Sequence, residues 1–228
     1  MAEEILRMTN ITKRFAGITA LDRVEFSCNK GEVHILAGEN GAGKTTTIKL
    51  LLDIIQKDSG SIHILGHDCI SEATIPKEEI GVVMDEVGFQ DCLTPLQVGQ
   101  IMKDTFKNWD PSLYNQYLQN FKLPEKKEFG KFSKGMKMKL GIAVALSHHP
   151  KLLILDEATS GLDPVMRDEI LDIFNDFTRD ESHSILISSH IVSDLEKICD
   201  YVAFLHKGNL VLFEEKDRLL EKYGIIQC

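Results

Sequence analysis

The chain has 228 residues, of which 43% are hydrophobic and 27% are charged, and this length and composition suit one α/β domain with a sizeable core. The formal net charge of −9 argues against a broad nucleic-acid-binding surface, because phosphate backbones are usually bound by a basic face. Five scattered cysteines without a CxxC pair are typical of free thiols in a reducing compartment. The N-terminus has no signal-peptide pattern, and no apolar run approaches the ~18 residues of a membrane-spanning helix.

The first part of the chain is predicted to contain strands followed by one helix. Residues 5–8 and 24–27 carry alternating or β-branched apolar side chains, which favours strands. Residues 32–37 form a short apolar run that is typical of a buried strand, and this run leads directly into a glycine-rich loop. From Lys44 onward apolar residues recur at helical spacing, so we expect a helix to follow the loop.

The middle of the chain, residues 86–148, has a different pattern. Thr94-Pro95 and Asp110-Pro111 each place an N-capping side chain before a proline at the first helical position. Apolar residues at helical spacing follow the second pair. This pattern predicts a mostly helical subdomain inserted into the α/β core.

After residue 148, predicted strands and helices alternate, which favours a largely parallel sheet. The predicted strands are 152–155, 184–188, 201–206 and 210–213, and the predicted helices are 165–178, 193–199 and 216–223. We therefore divide the chain into an α/β core of residues 1–85 and 149–228 and the helical subdomain of residues 86–148.

The glycine-rich loop, Gly38-Glu-Asn-Gly-Ala-Gly43-Lys44-Thr45, matches the full pattern GxxxxGK[ST] between a predicted strand and a predicted helix. Glycines let the backbone approach phosphate oxygens, and the loop N–H groups form an anion-binding nest at the helix N-terminus. Lys44 would contact the β- and γ-phosphates of a nucleotide, and the Thr45 hydroxyl would bind Mg²⁺. A glycine-rich turn that binds nothing is the disfavoured alternative. The predicted nucleotide-binding residues are Gly38, Asn40, Gly41, Ala42, Gly43, Lys44, Thr45 and Thr46.

Two acids, Asp156 and Glu157, end the predicted strand 152–155. The carboxyl edge of a parallel sheet is where ligands bind, so Asp156 is expected to hold Mg²⁺, directly or through water. Glu157 would polarise the attacking water, a role worth typically ~10²–10⁴-fold in rate. Such acids are often only helix caps, and the phosphate-binding loop is what favours the catalytic interpretation.

Over essentially its whole length the chain resembles the ABC ATPase family. Ser160-Gly161-Leu162-Asp163 resembles that family's D-loop, and Ser188-Ser189-His190 resembles the segment with its switch histidine. Phe132-Ser-Lys-Gly-Met136 stands where the family has its signature motif, usually written LSGGQ. The resemblance implies a P-loop NTPase (RecA-like) core, an N-terminal antiparallel β region and an inserted helical subdomain.

The resemblance also implies a head-to-tail dimer in which each ATP lies between the phosphate-binding loop of one subunit and the signature motif of the other. Catalysis would then depend on Lys44, Glu157 and His190, with His190 contacting the γ-phosphate and holding Glu157. The signature and D-loop positions that would contact nucleotide are Ser133, Lys134, Gly135 and Asp163. Phe15 matches the family's adenine-stacking aromatic, with an ordinary core aromatic as its alternative.

Two positions depart from the family pattern. Asp85 stands where the family usually has glutamine, and we expect it to be a ligand on the metal side of the site, with Thr45 and Asp156. Lys134 replaces the first signature glycine, at a helix N-terminus where a cation is unfavourable. It either contacts the nucleotide of the partner subunit or is simply solvated, and the sequence does not decide between these alternatives.

These departures, with the turn Lys107-Asn-Trp-Asp110, are similar to ATPases of ABC-2 type exporters, including those for peptide-antibiotic resistance. The resemblance implies a second ATPase subunit, a separate membrane-spanning permease and a location on the inner face of the cell membrane. The net charge of −9 is the reason that we expect no nucleic-acid partner. The alternatives are a soluble ABC ATPase in translation, repair or assembly, and an ATP-sensing module without turnover. His63, His67 and Cys69 lie close together, but we expect them to be structural because no fourth metal ligand is evident.

Overall fold

The computed structural model describes residues 3–70 and 75–222. Within these ranges the chain forms ten strands and seven α-helices. The strands are β1 (Glu4–Phe15), β2 (Ile18–Asn29), β3 (Val33–Ala37), β4 (Ser59–Ile64), β5 (His67–Asp68), β6 (Ile80–Val83), β7 (Leu152–Asp156), β8 (Ser184–Ser189), β9 (Tyr201–His206) and β10 (Asn209–Glu215). The helices are α1 (Lys44–Leu51), α2 (Pro95–Thr105), α3 (Pro111–Asn120), α4 (Lys134–Leu146), α5 (Pro164–Phe177), α6 (Val192–Ile198) and α7 (Lys216–Lys222).

A four-stranded antiparallel sheet, in the order β2-β1-β4-β5, forms the N-terminal β region. Strands β1 and β2 are each 12 residues long, much longer than the segments 5–8 and 24–27 that the apolar pattern predicts. The pairing of β1 with β2 shifts register between Met8 and Ile11, and Asn10 has a positive φ of 51°. Such a bulge interrupts the two-residue alternation, so only part of each strand is visible as a pattern.

The second sheet has six strands in the order β10-β9-β3-β8-β7-β6. Strands β3, β6, β7, β8 and β9 are parallel, and β10 joins the edge antiparallel to β9. Together with the antiparallel N-terminal sheet and the helices, this confirms the predicted α/β fold class. The parallel register brings the carboxyl ends of β3, β7 and β8 together at one edge of the sheet.

The six-stranded sheet has a hydrophobic core on each face. Leu153 and Ile187 point to one face, where they pack with buried residues of α4 and α5. Leu152 and Leu186 point to the other face, where they pack with α1 and the antiparallel sheet. Strands covered on both faces are near-continuous apolar runs, which is why the sequence predicted them well.

Residues 84–151, between β6 and β7, contain α2, α3 and α4 and no strand. Thr94 and Asp110 cap α2 and α3 as predicted, and each precedes a proline at the first helical position. Helix α4 is mostly buried, and it packs between β6 and the pair α2–α3. Its N-terminus carries the predicted signature residues.

Candidate active site

The phosphate-binding loop connects β3 to α1, and its backbone requires glycine at two close approaches. Gly38 and Gly43 have positive φ values of 151° and 117°. A Cβ at Gly38 would lie 2.4 Å from the Leu205 carbonyl oxygen, and one at Gly43 would lie 2.6 Å from a Leu21 methyl carbon. No side chain caps the N-terminus of α1, so its first N–H groups are available to an anion.

Lys44 is buried, with 5% of its surface exposed. Its ammonium donates to the Gly38 carbonyl at 2.8 Å and to the Glu39 carbonyl at 3.2 Å, and it forms an ion pair with Glu157 Oε1 at 3.1 Å. A buried ammonium needs this compensation. These contacts hold the cation directly over the glycine loop.

Asp156 lies at the end of β7 and is 2% exposed. Its Oδ1 accepts a hydrogen bond from Ser188 Oγ at 2.6 Å and one from Thr45 Oγ1 at 3.3 Å. The parallel pairing of β7 with β8 sets Asp156 opposite Ser188. One carboxylate therefore joins the ends of β7 and β8 to the start of α1.

Glu157 has a φ of 51°, in the left-handed region, and its N–H donates to Ser188 Oγ at 3.0 Å. Its two carboxylate oxygens are both engaged, Oε1 by Lys44 at 3.1 Å and Oε2 by the His190 Nδ1 at 2.7 Å. A strained backbone conformation of a non-glycine residue is maintained only where the surroundings determine it. Here the strain coincides with a carboxylate between a lysine and a histidine.

A cavity of about 370 Å³ opens above these groups. Residues of the phosphate-binding loop and of the first turn of α1 form one wall, and Asp85, Glu157, Ser160 and His190 line the rest, with Ala20 at the rim. The structure thus brings together residues from five separate parts of the sequence. The volume is that of a small-molecule site, and the mostly polar lining suits a charged ligand.

Some residues that the sequence nominated lie outside this lining. Phe15, on β1, is 45% exposed, with the Lys13 ammonium 5.1 Å from its ring centre. Asp163 caps α5, since its Oδ1 accepts the Met166 N–H at 3.0 Å. Phe15 is therefore no core aromatic, and its ring is accessible to a ligand.

The signature residues lie at the N-terminus of α4. Ser133 caps the helix, and its Oγ accepts the Met136 N–H at 3.3 Å. A Cβ on Gly135 would lie 2.1 Å from the Met166 sulfur, so a larger residue here would require the Met166 side chain to move where α4 approaches α5. This close contact fixes the signature segment against the start of α5.

The Lys134 side chain is ion-paired and only partly exposed. Its ammonium forms an ion pair with Asp85 Oδ1 at 3.1 Å, and the two side chains are 50% and 49% exposed. A Cβ on Gly161 would lie 3.3 Å from the same nitrogen, so Lys134 also adjoins the segment after the two acids. The two departures from the family pattern are thus paired with each other.

Ala20 was not named from the sequence, and Ser160 and Ser188 were named only as parts of the D-loop and switch-histidine segments, without a role of their own. Ser188 bonds both Asp156 and the Glu157 N–H. Its place before Ser189-His190 and the expected pairing of the two parallel strands are the sequence signals for this role. Away from the site, His63 is hydrogen-bonded to Asp68, and the Cys69 thiol donates to the His67 carbonyl at 3.7 Å.

Among the helices in the described ranges, none combines the length and the apolar character that crossing a bilayer requires.

Comparisons with known proteins agree with this geometry. The family model described as "ABC transporter" matches residues 21–160. The bacitracin transport ATP-binding protein BcrA of Bacillus licheniformis is 36% identical over 209 residues, which cover 91% of this chain and 68% of that protein. The lantibiotic transport ATP-binding protein SrtF of Streptococcus pyogenes is 36% identical over 217 residues, which cover 93% of this chain and 92% of that protein.

A solved structure described as the ATP binding subunit of an ABC transporter superposes with a TM-score of 0.85 at 26% identity. The match covers 96% of this chain and 92% of that one. The likeness therefore extends over both sheets and the helices between β6 and β7.

Proposed function

The chain belongs to the ABC transporter family and is an ATP-hydrolysing transport subunit, and from this premise we propose that it powers the export of a peptide antibiotic or a related compound. The two relatives described above, which act in bacitracin and lantibiotic transport by their names, support this class of cargo. The observation that carries the catalytic part is the carboxylate of Glu157, which is engaged by Lys44 and by His190.

The phosphate-binding loop fits a nucleoside triphosphate. Its glycines leave no room for Cβ atoms at the close approaches, the N-terminus of α1 is uncapped, and Lys44 supplies a buried cation. We assign ATP binding to the loop and to the first turn of α1, with adenine stacking on the exposed ring of Phe15. The loop and helix residues in this assignment are Gly38, Asn40, Gly41, Ala42, Gly43, Lys44, Thr45 and Thr46.

Hydrolysis would begin with an exchange of partners at Lys44. Phosphate oxygens would take the Lys44 ammonium, and Glu157 Oε1 would then be free to accept a proton from the attacking water. The water oxygen bonds to the γ-phosphorus while the bond to the ADP oxygen breaks, which yields ADP and phosphate. His190 would hold Glu157 through the 2.7 Å contact and would turn its other ring nitrogen to the γ-phosphate.

Oxygen donors suited to Mg²⁺ lie beside the loop. Thr45 Oγ1 and Asp156 Oδ1 are 3.3 Å apart, and hydroxyl and carboxylate oxygens are the ligands that this cation prefers. We assign Asp85, which lines the cavity, as a further ligand of this cation. When bound, Mg²⁺ would neutralise charge on the β- and γ-phosphates.

The signature residues support a head-to-tail dimer. Ser133, Lys134 and Gly135 lie at the N-terminus of α4, outside the lining of the cavity, where a helix dipole favours an anion. We propose that they bind the ATP of a second ATPase subunit, identical or related, with Asp163 at the contact.

Within each subunit, the α/β core would comprise residues 1–85 and 149–228, and the helical subdomain would comprise residues 86–148.

A separate membrane-spanning permease would complete the transporter, with this subunit on the inner face of the cell membrane. A soluble ABC ATPase of translation, repair or assembly is the alternative function. Copurification in detergent with a membrane protein encoded alongside this chain separates the two. Recovery of the active ATPase without such a partner, from cells expressing both, would count against the transport proposal.

The test of the catalytic proposal is Glu157→Gln. This change removes the base but keeps the side-chain size, so we expect the ATP hydrolysis rate to fall by ~10²–10⁴-fold while ATP binding persists. Light scattering with ATP should then show a dimer, because the bound ATP is no longer consumed.

Glu79→Gln is the matched control, since Glu79 pairs with Lys151 near the opposite edge of the same sheet. It should hydrolyse ATP at the wild-type rate. A Glu157→Gln variant that hydrolyses ATP as fast as Glu79→Gln would contradict the role of Glu157.

A further inference from the structure

A buried carboxylate lies just outside the site. Asp194, on α6, is 0% exposed, and it does not line the cavity. Burying a carboxylate is costly unless its oxygens are paired. Its contacts therefore indicate what it holds in place.

One oxygen of Asp194 joins the two segments that carry the catalytic pair. Thr159 Oγ1 donates to Oδ2 at 2.5 Å, and Ser189 Oγ donates to the same oxygen at 3.4 Å. Thr159 follows Glu157 by two residues, and Ser189 directly precedes His190. Asp194 Oδ2 thus forms a bridge from the loop after β7 to the end of β8.

A second bridge joins the same two segments. Ser188 Oγ donates to Asp156 and accepts the N–H of Glu157. Two hydrogen-bonded bridges therefore join the segments that carry the Glu157–His190 contact of 2.7 Å. The Asp194 bridge is the one that connects the pair to a helix.

The other oxygen of Asp194 has no hydrogen-bond partner, and neither has the Arg167 Nε on α5, among the residues that the structure describes. These two buried atoms are 4.0 Å apart. Arg167 Nη2 reaches the Leu162 carbonyl at 3.5 Å, within the segment 160–163. The charge of Asp194 is thus balanced by a cation on the helix that follows this segment.

We propose that Asp194 is a positioning residue for ATP hydrolysis, which holds the Glu157 and His190 segments in register through Thr159 and Ser189. Through Arg167 it also connects these two segments to the segment 160–163. The inference rests on the proposed roles of Glu157 and His190. It adds a buried group, outside the lining of the cavity, that controls the rate.

Attachment of α6 to α5 does not need this residue. Lys197 and Asp168 already join the two helices by an exposed ion pair of 2.5 Å. A buried ion pair is in general a weak source of stability, and one whose atoms are 4.0 Å apart is weaker still. Fixing the register of the catalytic segments accounts for the buried acid better than stability does.

The test compares Asp194→Asn with Asp168→Asn, which makes the same chemical change on the exposed pair between the same helices. For Asp194→Asn we expect kcat for ATP hydrolysis to fall ~10- to 100-fold, since misplacement by about 1 Å has that effect. The dissociation constant for ATP should stay within about twofold of wild type, because the phosphate-binding loop is untouched. Asp168→Asn should match the wild type in both quantities.

A second pair of variants keeps the test decisive if Asp194→Asn does not fold. Thr159→Val keeps the shape of Thr159 and removes the donor to Oδ2, so it should lower kcat without weakening ATP binding. Thr159→Ser retains the hydroxyl and should recover most of that loss. Combining Thr159→Val with Asp194→Asn should cost no more than the larger single change, because both remove the same bridge.

The inference is overturned if folded Asp194→Asn or Thr159→Val keeps kcat within about twofold of wild type. It is also overturned if kcat and thermal stability fall in parallel, with Thr159→Ser as slow as Thr159→Val. A failure of the proposed function looks different, since Glu157→Gln would then hydrolyse ATP normally. Loss of activity in Glu157→Gln with full activity in Thr159→Val defeats only the inference.

Discussion

The phosphate-binding region and the signature region of this chain are built in opposite ways. In the first, Lys44 and Asp156 are 5% and 2% exposed, and their charged atoms are joined to Glu157, Thr45 and Ser188. In the second, the ammonium of Lys134 is held by one ion pair whose two side chains are each about half exposed, at 50% and 49%. We call the phosphate-binding region closed, because its charged groups are buried and paired within the chain, and the signature region open, because its charged pair is half exposed.

The difference follows from where each region finds its counter-charges. Buried charges must be compensated inside the chain, so the charged groups of the phosphate-binding region are paired with one another. The helix N-termini do not make this distinction, since α1 is uncapped and Ser133 caps α4, so the difference lies in the exposed charges of Lys134 and Asp85. This exposure is consistent with our proposal that the open region binds the ATP of a second subunit.

The largest predicted effect tests this division directly. Lys44→Ala removes the buried cation and leaves Glu157 without its ion-pair partner, so ATP binding and hydrolysis should fall by at least ~10²-fold. Ser133→Ala should leave ATP binding by the single subunit intact, and it should abolish the ATP-induced dimer in the Glu157→Gln background. Calorimetric titration measures the first quantity, and light scattering measures the second.

Thr94→Ala is the matched control for Ser133→Ala, because Thr94 caps α2 as Ser133 caps α4. Both changes should lower the unfolding free energy by ~1 kcal/mol, but only Ser133→Ala should prevent dimerisation. Equal loss of dimer in both variants would mean that helix stability, not recognition by the signature segment, controls assembly.

The sequence predicted the closed region better than the open one. The glycine loop and the two acids belong to local patterns, and a parallel sheet brings the ends of its strands to one edge. Asp156 could therefore be assigned beside Thr45 although 111 residues separate them. The strain at Glu157 and the role of Ser188 were not predictable, because they depend on backbone angles and register.

The pairing of Lys134 with Asp85 was missed for a physical reason. The two residues are 49 positions apart, and neither periodicity nor capping connects them, so only the packing of α4 against β6 reveals the contact. Asp194 was missed in the same way, as an acid on a short helix without a motif. Long-range pairs of single side chains are the part of this site that local patterns do not contain.

A weaker effect should appear in the pH dependence of stability. Burial lowers the pKa of His34, on the strand that enters the phosphate-binding loop, and of His148, just beyond α4, below the ordinary value of 6.5. The unfolded chain then binds more protons than the folded one below that pH, so stability is lost as pH falls from about 6.5 through the folded pKa values.

We expect the midpoint temperature of thermal unfolding to decrease when the pH is lowered from about 7.5 to about 5.5. This decrease should be smaller in His34→Gln and in His148→Gln. His206, which is exposed on β9, provides the control, and His206→Gln should keep the full dependence. The same pH dependence in all four proteins would exclude the buried histidines as its source.

The smallest predicted effect concerns the ion pair of the open region. Exposed pairs contribute ~0–1 kcal/mol, so Asp85→Ala and Lys134→Ala should each lower the unfolding free energy by less than ~1 kcal/mol. A double-mutant cycle by urea unfolding should give a coupling energy of ~0.5 kcal/mol that shrinks in high salt. The Lys139–Glu169 pair, with one side chain 10% exposed, should lose less of its coupling energy under the same salt.

The same variants decide what Asp85 does for the metal. As a ligand on the metal side, Asp85 should matter for the reaction as well as for Lys134, so Asp85→Ala should raise the Mg²⁺ concentration needed for half-maximal ATP hydrolysis. Lys134→Ala should leave that concentration unchanged or lower it, since it releases Asp85 from its partner. An unchanged Mg²⁺ requirement in Asp85→Ala would restrict Asp85 to the open region, as the counter-ion of Lys134, and would make the division between the two regions sharper.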